Sequence, residues 1–323
     1  MNIKISMPVS VAALAFSLAA NAQTIDIVQE GSTNDVQITQ IGTDANSIEV
    51  DQLGTNSGAD IFQAGSSQTI AVVQGETGDL NTAFVAQGDI VADTGNTANV
   101  TQTGSSNLGA IGQNGSDNSA TIVQSSDGNL AFLDQGFVNG DGAGADSNTI
   151  ALTQGGSGNS ADLSQNFATI GGANLISVDQ ISDDNAVSFD QEGTLQNAFV
   201  VQGDIGGDGG NSLVGSQSND SNLLAVGQNS SGNSATTQQD GSGNQMFIDQ
   251  GFVDGVGVGG NGNSATGTQI GNFNSMTINQ NLLTEGGSNS ATVNQFGDGY
   301  DITVDQEGSG HSMTITQGTP PAS

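Results

Sequence analysis

Two kinds of side chain here have chemistry beyond packing: carboxylates with a single histidine, and carboxamides set six residues apart. Thirty-three Asp and Glu stand against one His and one basic residue, Lys4, and there is no cysteine. Acid–base or nucleophilic catalysis needs a titratable pair held in mutual register, and these acids follow no such pairing. His311 is the one candidate base, yet it fills a slot that is Asn in most equivalents, as Tyr300 does one strand earlier. Its reading is structural or capping; no catalytic residue and no enzyme activity are expected. The acidic stretches 141–146 and 204–208 offer the oxygen ligands that Ca²⁺ takes. However, the equivalents of Asp141 and Asp146 in the next copy of a longer repeat are Val256 and Asn261. Solvating charge is therefore the stronger reading, and neither metal site nor cofactor is expected.

The carboxamides are ordered, and strands must order them. The run Asn118 to Gln124 places Asn118, Ala120, Ile122 and Gln124 on one face and Ser119, Thr121 and Val123 on the other, the period of a β-strand. Its terminal Gln recurs 24 times from Gln29 to Gln317, and the position six before is Asn in 18 of the 24. Elsewhere that slot holds Gln23, Ser57, Gln68, Gln196, Tyr300 or His311. The inward face thus reads amide, apolar, apolar, amide. The pairs read as a structural amide ladder are Asn34 and Gln40, Asn46 and Gln52, Asn107 and Gln113, Asn118 and Gln124, Asn129 and Gln135, and Asn159 and Gln165. They continue with Asn185 and Gln191, Asn222 and Gln228, Asn233 and Gln239, Asn244 and Gln250, and Asn289 and Gln295.

The commonest connector has four residues, x-G-x-x, as in Asn114–Asp117, with the Gly, Asn, Asp and Ser that tight turns require. The basic step is 11 residues, and longer steps of 15 and 19 put their excess into connectors. The same series of steps runs from Gln87 to Gln202 and from Gln202 to Gln317. Residues 87–201 and 202–316 therefore read as tandem 115-residue copies, and 23–86 as a shorter, diverged one. Residues 23–317 form one array; the tail 318–323, with Pro320 and Pro321, ends the pairing.

Residues 1–22 differ from this array: Lys4, an apolar stretch and Ala20-Asn21-Ala22 before Gln23 make a secretory signal peptide, set aside from the fold. Beyond it no Lys or Arg opposes the acids, so nucleic acid and anionic membranes are repelled, and Ca²⁺ or polycations are the charge-matched partners. Without disulfides, stability must come from backbone pairing and packing.

A seven-residue strand and a four-residue turn cannot bury an apolar face alone, so the units must stack. Stacking sets Asn over Asn and Gln over Gln at the ~4.8 Å strand spacing, where each amide donates to one neighbour and accepts from the other. The expected fold is an all-β, parallel β-solenoid of 24 short strands, with two strands per rung in two facing sheets. A three-strand triangular β-helix is the alternative: nine strands per copy favour the triangle, while the small inward residues favour a thin two-sheet core.

At this point Gln113, Gly115, Asn118, Ala120 and Gln124, with Gln154, Asn159, Ala161 and Gln165, and Gln228, Asn233, Ala235 and Gln239, can be compared with known repeats. The pattern Q-x-G-x-x-N-S-A-x-x-x-Q resembles the curlin repeat of curli fibre subunits, bacterial functional amyloids. The resemblance implies a two-sheet β-solenoid, secretion through an outer-membrane export channel, and self-assembly with other curli-type subunits into a cell-surface fibre serving adhesion and biofilm matrix. Family subunits are shorter and carry a Gly-rich leader where this chain has a strand slot at Gln23. Assembly would proceed by strand addition at the ends, Gln23 and Gln29 at one and His311 and Gln317 at the other. A monomeric secreted adhesin or Ca²⁺-binding surface protein is the second reading. Phe84, Phe132, Phe199 and Phe247 fall on outward slots, two pairs 115 residues apart, as lateral contacts or as shelves for the connectors that follow them.

Overall fold

The structure is a computed structural model. It describes residues 2–6, 13–16, 24–41, 45–75, 79–88, 93–136, 146–165, 172–203, 209–251, 260–281 and 286–321. Gln23, Asp141 and the 204–208 stretch lie outside the described residues, as does the excess of most long connectors. Among the described residues every regular element is a strand, and each of the 24 ruler glutamines sits on one. Two compact units divide the chain, Met1–Ala173 and Asn174–Ser323.

In Met1–Ala173, each strand pairs in parallel with the strand two places on. Ser119–Gln124 lies between Thr97–Gln102 and Thr149–Gln154, while Leu108–Gln113 lies between Thr82–Gln87 and Leu130–Gln135. In Asn174–Ser323 the rule repeats: Leu223–Gln228 lies between Asn197–Gln202 and Gln245–Gln250, and Ser234–Asp240 between Ser212–Asp220 and Ser264–Ile270. Both units are therefore β-solenoids with two strands per rung. The triangular alternative is excluded by this pairing, and the thin core explains why: inward slots such as Ala98, Val100, Ala120 and Ile122 are fully buried and reach only to the opposite sheet. Burying each large aliphatic contributes roughly 1.5–3 kcal/mol.

Core volume is balanced between rungs. Phe189, fully buried, pairs across the ladder with Gly215, where an added Cβ would come within 2.6 Å of the Phe189 ring. Gly267 likewise faces the sulfurs of Met246 and Met276.

The turns use positive φ at two places. In Asn114–Asp117, Gly115 has φ 91° and Asp117 φ 59°. The second place, near 90–130° in such turns, is open only to glycine; the fourth is the left-handed region that Asp, Asn and Ser tolerate.

Asn2–Ser6 and Ala13–Phe16, set aside above as signal peptide, are strands here, paired with Thr24–Gln29 and Asp35–Ile41. An open parallel edge asks only for backbone pairing, and Ile3 and Ile5 stand in register with Ile25 and Ile27. These segments do not continue the amide pattern: Phe16 stands opposite Gln40.

Candidate functional site

Three hydrogen-bonded rails run along each unit. In the first, the glutamine Nε2 donates to the Oε1 of the glutamine one rung on: Gln102 to Gln124 at 2.8 Å and Gln124 to Gln154 at 2.8 Å in one sheet, Gln87 to Gln113 and Gln113 to Gln135 at 2.8 Å in the other. The second unit repeats this, as in Gln202 to Gln228 at 2.7 Å and Gln217 to Gln239 at 2.7 Å. The other Nε2 hydrogen crosses to a backbone carbonyl of the facing sheet, Gln113 to Thr97 at 2.9 Å and Gln124 to Leu108 at 3.1 Å. One carboxamide thus ties two rungs and two sheets together. Every Gln–Gln bond named points the same way, from the N-terminal rung to the C-terminal one.

The second rail is asparagine. Asn96 Oδ1 accepts the Asn118 backbone N–H at 3.0 Å, and Asn96 Nδ2 donates to the Gly115 carbonyl at 2.8 Å in the turn before it. Asn289 does the same for the His311 N–H at 2.9 Å and the Gly308 carbonyl at 3.0 Å. The carbonyl that receives Nδ2 belongs to the second-place glycine. Asn107 and Asn211 face turns with glycine in fourth place instead, Ser125–Gly128 and Asn229–Gly232, and their Nδ2 atoms have no partner. All 22 residues paired above as the ladder are buried.

Sequence reasoning missed the third rail, in the turns. Where the residue two before a slot is Asp or Asn, it can accept the backbone N–H of its equivalent one rung earlier: Thr55 to Asp79 at 3.0 Å, Ser105 to Asp127 at 2.7 Å, Ser116 to Asp146 at 2.8 Å and Ser231 to Asn261 at 3.1 Å. Asp146 and Asn261 are equivalents, and both present an Oδ1 acceptor. Their interchange, which argued against a Ca²⁺ site, is what a turn acceptor permits. Part of the acid read as solvating charge is thus structural, and the signal was the fixed offset of Asp, Asn or Ser from the Asn slot. Among the described residues no cluster of three His, Asp or Glu is arranged to hold a metal ion.

Residues 94–125 and 285–318 match the family model of the curlin associated repeat. Those two segments carry the curlin associated repeat. The first match contains the rail residues Asn96, Gln102, Asn107, Gln113, Asn118 and Gln124. A comparison with curated proteins found no match. Curlin repeats and the two-sheet solenoid they build are structural rather than enzymatic.

The second curlin match contains two of the departures from Asn. Tyr300 and His311 sit in Asn slots of Asn174–Ser323, their N–H groups held by Asn274 and Asn289 at 2.9 Å. The strand Ser312–Gly318 is exposed along most of its length, and His311 lines a cleft with Asp305, Gln306, Glu307, Ser312 and Met313. Near the other limit of the repeats, Gln29 is buried and donates to Gln52 at 2.7 Å, while Gln40 Oε1 is buried without a partner.

On the outer faces, Phe84 and Phe132 flank Ala110 in three successive rungs, and Phe199 and Phe247 flank Ala225. Phe84, Phe132 and Phe199 are exposed and Phe247 half-buried. Beside them Asp134 leans over Gly112 and Asp249 over Gly227. Desolvation there raises the pKa of both carboxyls, and for Asp134 the nearby Asp162 carboxylate raises it further.

Proposed function

We propose that this chain is a structural subunit of an extracellular curli-like amyloid fibre, self-assembling by strand addition at its solenoid ends. The observation that carries the reading is the unfinished glutamine rail. The buried Gln40 Oε1 lacks a donor, while Gln317, half-buried on the exposed strand Ser312–Gly318, already accepts from Gln295 at 3.4 Å and has Nε2 to give. Removal of residues 1–22 as a secretory signal peptide uncovers the edges of Thr24–Gln29 and Asp35–Ile41, with Gln23 and Gln29 at the receiving end. Adhesion and biofilm matrix, export through an outer-membrane channel and co-assembly with curli-type subunits accompany this role. The Phe84–Phe132 and Phe199–Phe247 ridges supply lateral contacts between fibres, and Ca²⁺ or polycations screen the acid.

The test is assembly of the processed chain. Thioflavin binding is expected; a sample that stays monomeric in sedimentation at assembly concentrations would favour the adhesin reading instead. Substituting all four phenylalanines by Ser is expected to reduce bundling of fibres and leave their growth intact; unchanged bundling contradicts the lateral role.

A further inference from the structure

The two ends of the repeat are chemically unequal. Where both bonds form, as at Asn96 and Asn289, the Asn serves the rung that follows it: Oδ1 accepts the next slot's N–H, and Nδ2 donates to the next second-place glycine carbonyl. At the last rung those duties fall to Tyr300 and His311. In register, Gln317 meets Gln40 of an incoming copy, so His311 meets its Asn34 and the turn carbonyl of Gly31, the second-place glycine before that slot. Tyr300 meets Gln23, where a chain processed after Ala22 has no preceding turn to be served.

We propose that copies join in one polarity, C-terminal rung to N-terminal rung, and that His311 is the positioning residue of the junction, taking the Asn role toward Asn34 and Gly31 of the next copy. This rests on the fibre reading above.

Neutral imidazole suits the role because it carries one acceptor nitrogen and one N–H donor, the same pair of functions that Asn289 supplies one rung earlier. Imidazolium has two donors and no acceptor, so its ring would face the Asn34 N–H donor to donor. The charged groups around the junction are Asp305 and Glu307, which line the His311 cleft, and Glu30 in the incoming turn. They attract imidazolium, but across a solvent-facing cleft that attraction is screened, whereas the mismatched N–H becomes buried as the copies close. Imidazole is the side chain whose charge changes between pH 5 and 8, and ordinary carboxylates stay ionised over most of that range. The junction therefore weakens on mild acidification for a reason separate from the general acid charge.

The experiment is seeded elongation of the processed chain, read by thioflavin fluorescence at pH 7.5 and 5.5, for wild type, His311→Asn and His311→Ala. Wild type is expected to elongate about tenfold more slowly at pH 5.5. His311→Asn is expected to remove that dependence, and His311→Ala to be slow at both pH values. His311 is exposed and immediately precedes the terminal strand Ser312–Gly318, so far-UV circular dichroism of the monomers should be unchanged. If His311→Asn keeps the wild-type pH response, or His311→Ala elongates like wild type, the role of His311 is overturned while the fibre reading stands. If the wild type forms no fibre, both fall.

Discussion

A buried carboxamide is costly when its oxygen and hydrogens are left unanswered, and parallel in-register stacking lets a copy of the same residue answer part of that demand along the Gln rail. Gln124 accepts from Gln102, donates to Gln154 and donates across the core to Leu108. Gln124→Leu keeps the bulk and removes all three bonds, leaving a donor on Gln102 and acceptors on Gln154 and Leu108. The expected loss is about 2–4 kcal/mol, read as a shift in denaturant midpoint. Gln317→Leu at the exposed last rung should shift the monomer's midpoint by less than about 0.5 kcal/mol. Equal shifts would mean that the rail is not what holds the rungs. The Asn and Gln positions were legible in the sequence because period two and a fixed spacing of six mark them twice, but the Asn bonding was not: stacking predicts amide-to-amide bonds, as Gln makes, whereas Asn96 and Asn289 bond the backbone of the next rung. The turn rail was not, because Asp, Asn and Ser alternate at its position, as Asp146 and Asn261 do, and only the shared oxygen acceptor unites them.

Strand boundaries follow from the same template, and every ruler glutamine proved to sit on a strand. Strand count per rung was legible through core thickness alone: a nine-strand copy divides by three, but the small inward residues fit two facing sheets, and each strand pairs with the one two places on. At the turns, glycine's two places differ in consequence. A Cβ on Gly31, at φ 102°, would collide with the Gly54 carbonyl, whereas at Gly128, φ 68°, it would meet open space. Gly31→Ala should cost at least about 1–2 kcal/mol, and Gly128→Asn less than about 1 kcal/mol, by thermal or chemical unfolding. Comparable costs would refute the distinction. The outer faces carry a pH signature as well. With Asp134 and Asp249 raised above 3.8, the folded chain binds those protons more tightly than the unfolded chain. Their contribution favours folding in acid and is lost as pH rises from about 4 through the raised values. Asp134→Asn with Asp249→Asn should flatten stability against pH in that window; an unchanged slope would show the two carboxyls to be unstrained.

At the scale of the whole molecule, a net charge of −32, with the only basic side chain at Lys4, opposes any stacking of copies. Assembly from monomer should therefore have a shorter lag at pH 4 than at pH 8, and shorter again with added Ca²⁺; equal lags would contradict it. The effect has the opposite sign to the one expected at the His311 junction, so lag at pH 4 and seeded elongation at pH 5.5 report different groups. What the account claims above all is that the ladder within a chain continues between chains. Fibre diffraction from aligned assemblies of the processed chain tests this most directly. The account predicts a sharp meridional reflection at about 4.7–4.8 Å with an equatorial one near about 10 Å, the strand and sheet spacings of the rungs. Assemblies that lack the meridional reflection would contradict it.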